Sequence, residues 1–174
     1  QSILTKGGLD ASETLRISLD REDLPANLDL TAFDGTIVGG GPGCVSDAPS
    51  DKTPTEARIE AAVLGLMPQI TGRDLPFMGC CYGIGILGHH LGAPVGKSLY
   101  GETVGGSECS VTQDGRNDPM LAGLPDAFTA LVGHKEAVEA LPQNCAHLVQ
   151  SPTCPLQMIR HGQNVYATQF HPEA

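Results

Sequence analysis

The spacing of hydrophobic residues predicts a chain in which strands and helices alternate. Apolar residues recur near helical spacing across residues 55–69, and the preceding Thr53-Pro54 is typical of a helix start, so a helix is predicted there. A second helix is predicted at residues 82–91, directly after a short apolar strand at residues 77–80. Residues 1–6 read as the end of a helix, which the two following glycines stop.

The remaining apolar runs are short and predict strands. In chain order, strands are predicted at residues 14–19, 35–38, 77–80, 102–112, 128–132, 147–150, 156–160 and 165–170. Residues 30–33 are predicted to form a turn. This order implies an α/β fold in which a mainly parallel central sheet carries helices on both faces, with a second half rich in strands. Sheets of this kind bind ligands at the carboxyl ends of their strands.

A cysteine flanked by glycines stands where the apolar run at residues 76–83 turns from strand to helix. Cys81 has Gly79 two residues before it and Gly83 two residues after it, the spacing of a nucleophile elbow. Glycine at both positions lets the backbone pass close to itself. A thiol at a helix start also meets the positive end of the helix dipole, which favours the thiolate. Cys80 lacks these glycine neighbours and is predicted to be buried.

A histidine and a carboxylate follow the last predicted strand. A cysteine nucleophile needs a base, and the base needs an acceptor that orients it; His171 supplies the imidazole, and Glu173 can accept its second ring proton. Taken alone, these residues would read as a surface turn, and Cys81 as part of a buried strand and its turn. The glycine loop (residues 39–43), Cys81 and His171 all follow predicted strands, so we expect them at one edge of the sheet.

Four stretches of the sequence resemble, in order, motifs of the class I glutamine amidotransferase family. They are residues 38–43, 79–83, 133–138 and 170–173. The likeness is nearest to free-standing members that are named for the amidotransferase half of GMP synthase. It implies a flavodoxin-like fold, no cofactor and no metal.

The resemblance also implies a role for each matching residue. Cys81 would attack the side-chain amide of glutamine and form a γ-glutamyl thioester. His171 would activate the thiol and protonate the departing ammonia, and Glu173 would orient His171. The backbone N–H groups of Gly41 and Tyr82 would hold the oxyanion. The ammonia would pass to a synthase partner.

One position departs from the family pattern. Many members carry glutamine four residues after the nucleophile, where it helps to hold the substrate, but here that residue is Gly85. Unless another polar group fills the gap, the pocket should be wider and should bind glutamine more weakly. The candidates are Tyr100, Glu102, and His134 with Glu136, and each could equally be an ordinary surface residue. Two alternatives stay open: a free-standing γ-glutamyl amide or peptide hydrolase, and a non-catalytic binding module on the same fold.

Composition narrows the remaining possibilities. The 174 residues suit one domain, residues 1–174, and the resemblance implies that the first strand and the C-terminal helix typical of the family lie outside this sequence. The net charge of −10 and the 4% aromatic content argue against a nucleic-acid surface, and no apolar run is long enough for a membrane span. The six cysteines lack zinc-site spacing, so we predict reduced thiols and a cytoplasmic protein.

Overall fold

The structure is a computed structural model that describes residues 2–174. Its helices are α1 (Ser2–Gly7), α2 (Pro54–Arg73), α3 (Tyr82–His90) and α4 (Gln113–Arg116). Its strands are β1 (Thr36–Val38), β2 (Phe77–Cys80), β3 (Val95–Gly96), β4 (Glu102–Val111), β5 (Ala127–His134), β6 (Ala137–Val138), β7 (Cys145–Gln150), β8 (Met158–His161) and β9 (Val165–Thr168). Within residues 2–174, no helix combines the length and the apolar content needed to cross a membrane.

Seven strands form one sheet in the order β1-β2-β9-β8-β7-β4-β5, and β3 pairs with β6 separately. β1, β2 and β9 run parallel, with Cys80 beside Thr168, whereas the pairs from β9 to β5 are antiparallel. The predicted α/β class is confirmed. Its parallel part consists of the three strands that precede the glycine loop, Cys81 and His171. Because the carboxyl ends of parallel strands share one edge, the fold brings these three segments together.

Helix α2 begins with a complete capping box. Thr53 Oγ1 accepts a hydrogen bond from the Glu56 N–H, and the Glu56 carboxylate accepts one from the Thr53 N–H. The helix continues through Pro68 to Arg73, beyond the predicted end at residue 69. Ile70 in this last turn is fully buried, so tertiary packing outweighs the hydrogen bond that proline cannot donate.

Two hydrophobic clusters lie against the sheet. Helices α2 and α3 contribute to the first, together with Phe77 and Val165. The second is formed mainly by β4, β5, β7 and β8, and it includes Tyr166, with Met78 packed against it. Neighbouring residues of β2 and β9 therefore point to opposite faces, as the pleat of a strand requires. Helix α3 is held over β2 by the first cluster, which fixes the position of Cys81 between them.

The predicted strand at residues 14–19 is absent, and this prediction was wrong. The stretch is irregular, and Leu15 is 52% exposed. Among residues 2–174, no strand pairs with it, and an isolated strand has no partner for its backbone groups. Other strands were found with shifted ends. For example, β9 stops at Thr168, two residues before the predicted end at residue 170.

Candidate active site

Cys81 connects β2 to α3 through an unusual backbone conformation. Its φ of 53° and ψ of −93° are rarely adopted by a residue with a side chain. Strand and helix approach each other closely here. An ideal Cβ on Gly79 would lie 2.8 Å from the carbonyl carbon of Gly83, and one on Gly83 would lie 3.1 Å from the Val38 carbonyl oxygen. The glycine spacing therefore corresponds to a real steric requirement, and the backbone has the predicted elbow geometry.

The two adjacent cysteines have different surroundings. Cys80 is 2% exposed, as predicted, whereas Cys81 is half-buried and lines a pocket. Burial raises the pKa of the Cys81 thiol to about 11, and the N–H of Tyr82 at the start of α3 offsets only part of this effect. Desolvation thus outweighs this hydrogen bond, contrary to the expectation of a thiolate. Cys81 is a neutral thiol at pH 7 and needs a base.

His171 and Glu173 form a hydrogen-bonded pair after β9. His171 Nδ1 lies 2.9 Å from Glu173 Oε1, and the exposed fractions of the two side chains are only 27% and 15%. The His171 N–H donates to the Leu131 carbonyl oxygen at 2.8 Å, which fixes the turn. Since an ionised carboxylate only accepts, Nδ1 is the donor, and Nε2 remains the nitrogen available to a thiol.

The glycine loop lies next to both Cys81 and His171. An ideal Cβ on Gly40 would lie 2.9 Å from His171 Cε1 and 3.4 Å from Cys81 Cβ, so the two side chains meet at this residue. Within residues 2–174, no hydrogen bond joins the Cys81 thiol to His171, and such contacts often tighten only around substrate. The next residue, Gly41, lines the pocket, and its N–H donates to no acceptor within residues 2–174.

A pocket of about 730 Å³ opens beside Cys81. Its lining residues come from the glycine loop, α3, the segment after β3, β4 and the β5–β6 connection, and they include Gly41, Tyr82, Gly85, Lys97, Glu102, His134, Lys135, Glu136 and Gln169. Three of the four candidates for the polar role opposite Gly85 therefore reach the pocket, and Tyr100 is not among its lining residues. Sequence reasoning missed Lys97, whose ammonium pairs with Asp47, because no motif marks it.

Glu102 is the centre of a buried hydrogen-bond network in the pocket wall. Its carboxylate accepts from Ser107 Oγ at 2.9 Å, from Gln157 Nε2 at 2.7 Å and from Thr153, and it contacts His134 Nε2 at 2.8 Å. Burial acts to raise the pKa of Glu102, but these four hydrogen bonds together hold the pKa below its ordinary value. Glu102 therefore stays ionised inside the fold.

Glu102, His134 and Cys154 bring potential metal ligands within 4.8 Å of one another. Both ring nitrogens of His134 are already engaged, Nε2 by Glu102 and Nδ1 by the carbonyl oxygen of Glu136 at 2.9 Å. Burial, reinforced by the Glu102 charge, raises the pKa of the Cys154 thiol to about 12. His134 is therefore part of the hydrogen-bond network in the pocket wall, with both of its ring nitrogens engaged there.

Comparison with known proteins adds to this geometry. The sequence profile of the family described as Glutamine amidotransferase class-I matches residues 10–174. A glutamine-hydrolyzing GMP synthase of Geobacillus kaustophilus is 33% identical over 141 residues, which cover 80% of this chain and 24% of that protein. A separate subunit of the glutamine-hydrolyzing GMP synthase of Archaeoglobus fulgidus is 30% identical over 145 residues, covering 83% of this chain and 68% of that protein. The chain thus spans about a quarter of the single-chain GMP synthase.

Solved structures resemble the fold closely. A protein of Thermoplasma acidophilum, described as a putative GMP synthase subunit, superposes with a TM-score of 0.66 at 28% identity, covering 83% of this chain and 66% of that one. A glutamine amido transferase of Methylobacillus flagellatus gives a TM-score of 0.77 at 20% identity, covering 99% and 63%, and shows the shared fold. By its sequence profile and by its relatives, the chain belongs to the class I glutamine amidotransferase family.

Proposed function

We propose that the protein hydrolyses the side-chain amide of glutamine through a γ-glutamyl thioester on Cys81 and delivers the ammonia to a synthase partner. The observation that carries the proposal is the meeting of two predicted groups at one residue. The strained Cys81 elbow and the His171–Glu173 pair lie on either side of Gly40, whose ideal Cβ would be 3.4 Å from Cys81 Cβ and 2.9 Å from His171 Cε1, and Cys81 lines the pocket. A nucleophile, an oriented base and a row of glycine N–H groups are what amide cleavage requires.

The first half of the reaction forms the thioester. His171 Nε2 takes the proton from the neutral Cys81 thiol as its sulfur attacks the amide carbon of glutamine. Glu173 accepts the Nδ1–H and so holds the ring in the tautomer that leaves Nε2 unprotonated. When the tetrahedral intermediate collapses, the carbon–nitrogen bond breaks, and His171 gives its proton to the departing ammonia.

The second half of the reaction releases glutamate. Water attacks the thioester carbon with His171 as its base, the carbon–sulfur bond breaks, and the proton returns to Cys81. In both halves the negative oxygen would be held by the N–H groups of Gly41 and Tyr82. Gly41 supports this role because its N–H has no acceptor among residues 2–174, and Tyr82 because it directly follows the nucleophile.

The proposed synthase partner rests on the relatives. They are named as glutamine-hydrolyzing GMP synthases, and the chain corresponds to about a quarter of one and to 68% of a separate subunit. The synthase part that would consume the ammonia is therefore sought in another polypeptide or another part of the same protein. The acidic net charge of −10 suits a basic docking surface on that partner.

A γ-glutamyl peptide hydrolase is the second candidate, because the same three residues would cleave a different amide. The absence of a side chain at Gly85 and the pocket of about 730 Å³ favour it, since both leave room for a larger donor. Against it, the Glu136 carboxylate occupies the space next to Gly85, so the pocket is not widened at that point.

The test compares donors on one purified protein. Glutamate release is measured from glutamine and from γ-glutamyl peptides at matched concentration, with Cys81→Ala as the control variant. A kcat/KM for glutamine that exceeds the peptide value, and that vanishes in the variant, supports the amidotransferase. A much higher kcat/KM for peptides identifies the hydrolase instead. If Cys81→Ala releases glutamate as fast as the unsubstituted protein, Cys81 is not the nucleophile.

A further inference from the structure

We propose that Glu136 is a positioning residue that holds the oxyanion loop in place, and that glycine at position 85 is required because the Glu136 carboxylate occupies its side-chain space. This inference rests on the proposed function, since it assigns a task to the loop that carries Gly41. It also gives a physical reason why this chain has Gly85 where many family members carry glutamine.

Glu136 reaches from the β5–β6 connection to the segment that directly continues the glycine loop. Its Oε1 accepts from the Val45 N–H at 2.9 Å, and its Oε2 accepts from the Ser46 N–H at 3.0 Å and from Ser46 Oγ at 2.7 Å. The residue is 7% exposed, so these charge-assisted bonds form in surroundings that exclude most water. Lys52 also holds this segment, donating to the Val45 carbonyl oxygen at 3.2 Å.

Gly85 lies on α3, one turn beyond Cys81, and faces this carboxylate. An ideal Cβ on Gly85 would lie 2.8 Å from Glu136 Oε1, the oxygen that accepts from Val45, and 3.7 Å from Val45 Cγ2. A contact of 2.8 Å is shorter than real Cβ atoms show, so a side chain at 85 requires the Glu136 carboxylate to shift from the position in which it accepts from Val45. The two positions therefore depend on each other: the long carboxylate at 136 needs glycine at 85.

The consequence for catalysis follows from the order of residues. Gly41, Cys44 and Val45 lie within five residues of one another, and both Gly41 and Cys44 line the pocket. If the carboxylate releases Val45, the N–H of Gly41 loses its fixed aim at the developing oxyanion. Stabilisation of the transition state should then fall, while ground-state binding of glutamine changes little.

A double-mutant cycle tests this dependence. Gly85→Ala adds the obstructing Cβ, Glu136→Asp withdraws the carboxylate by one methylene, and the double variant does both. The readout is the rate constant for labelling Cys81 with a glutamine-mimicking diazo-ketone, divided by its rate constant with iodoacetamide. Dividing by the iodoacetamide rate constant corrects for any general change in the reactivity of the Cys81 thiol. We expect each single variant to lose about tenfold in this ratio, below the ~10²–10³-fold effect of deleting an oxyanion donor.

The double variant should lose about as much as Glu136→Asp alone, because the shorter carboxylate leaves room for the methyl group and Gly85→Ala then adds no further loss. The matched control is Gly88→Ala, whose Cβ would press on Val138 Cγ2 at 2.6 Å instead of Glu136. When Gly88→Ala is combined with Glu136→Asp, the losses in the labelling ratio of the two single variants should multiply. Multiplicative losses in the Gly85→Ala/Glu136→Asp variant as well would overturn the proposal.

Glu136→Gln provides a second measurement if Gly85→Ala does not fold. It keeps the shape but turns an amide group toward the donors of Ser46, so we expect kcat for glutamine to fall at least tenfold with KM within about twofold. A raised KM with unchanged kcat would show that Glu136 contacts the substrate directly and would overturn the positioning role. Failure of the proposed function looks different, because the unsubstituted protein would then not be labelled at Cys81 by the diazo-ketone at all.

Discussion

Replacement of Gly79 by alanine tests the elbow through its steric basis. The added Cβ would lie 2.8 Å and 2.9 Å from the carbonyl carbon and oxygen of Gly83, half an ångström or more inside the ordinary contact limit of 3.4 Å. Both atoms belong to the backbone at the start of α3, so relief requires the helix to move away from β2. Overpacking of a buried site typically costs about 1–3 kcal/mol, and two backbone contacts at once point to the upper end, about 3 kcal/mol.

The assay is urea unfolding at 25 °C, followed by circular dichroism. The control is Gly65→Ala on the exposed side of α2, where a new Cβ meets no atom within 4 Å among residues 2–174 and should stabilise the helix by about 1 kcal/mol. The Gly79→Ala variant should also label more slowly with the diazo-ketone, because its Cys81 moves with the helix. An unchanged unfolding midpoint for Gly79→Ala would refute the claim that the elbow is sterically closed.

Four further outcomes follow from the site. Cys81→Ala should abolish glutamate release, whereas Cys80→Ala should keep it and cost about 1 kcal/mol or less in urea unfolding. Glu173→Gln should lower kcat by about 10²-fold or more at unchanged circular dichroism, since it no longer fixes the tautomer of its histidine. Iodoacetamide alkylation of Cys81 should keep rising with pH toward the thiol pKa of about 11, and a plateau near pH 7 would contradict the desolvated thiol. The folded pKa of Glu102 lies below its ordinary value of 4.5. Ionised Glu102 therefore contributes its full share to the free energy of unfolding above pH 4.5, and this share is lost as the pH falls through the folded pKa. Glu102→Gln should make the free energy of unfolding depend less on pH in this acidic range.

Short-range patterns predicted the parts of the site that lie close together in sequence. The glycines around Cys81 and the spacing of His171 and Glu173 record local steric and hydrogen-bonding needs, and the structure has both arrangements. A local pattern was misleading at residues 14–19, because apolar and polar residues alternate there but a strand also needs a pairing partner, which the local pattern does not show.

Properties that depend on distant contacts could not be predicted. The bond from Glu136 to Val45 joins residues 91 positions apart, so the sequence marked position 85 as unusual and could name Glu136 only as one of four candidates for filling it. The raised pKa of Cys81 likewise results from burial by the whole fold, which the position at a helix start did not reveal. Lys97 reaches the pocket because β3 pairs with β6, and no motif signals that placement.

The most direct test of the account is the mass of the Cys81 peptide after glutamine is added and the reaction is stopped in acid. Acid quenching preserves a thioester, and digestion followed by mass spectrometry locates the modified residue. The account predicts an added mass equal to glutamine minus ammonia on Cys81, together with one free ammonia released for each adduct formed. An adduct on any other residue, or glutamate formed with no adduct on Cys81 under single-turnover conditions, would contradict it.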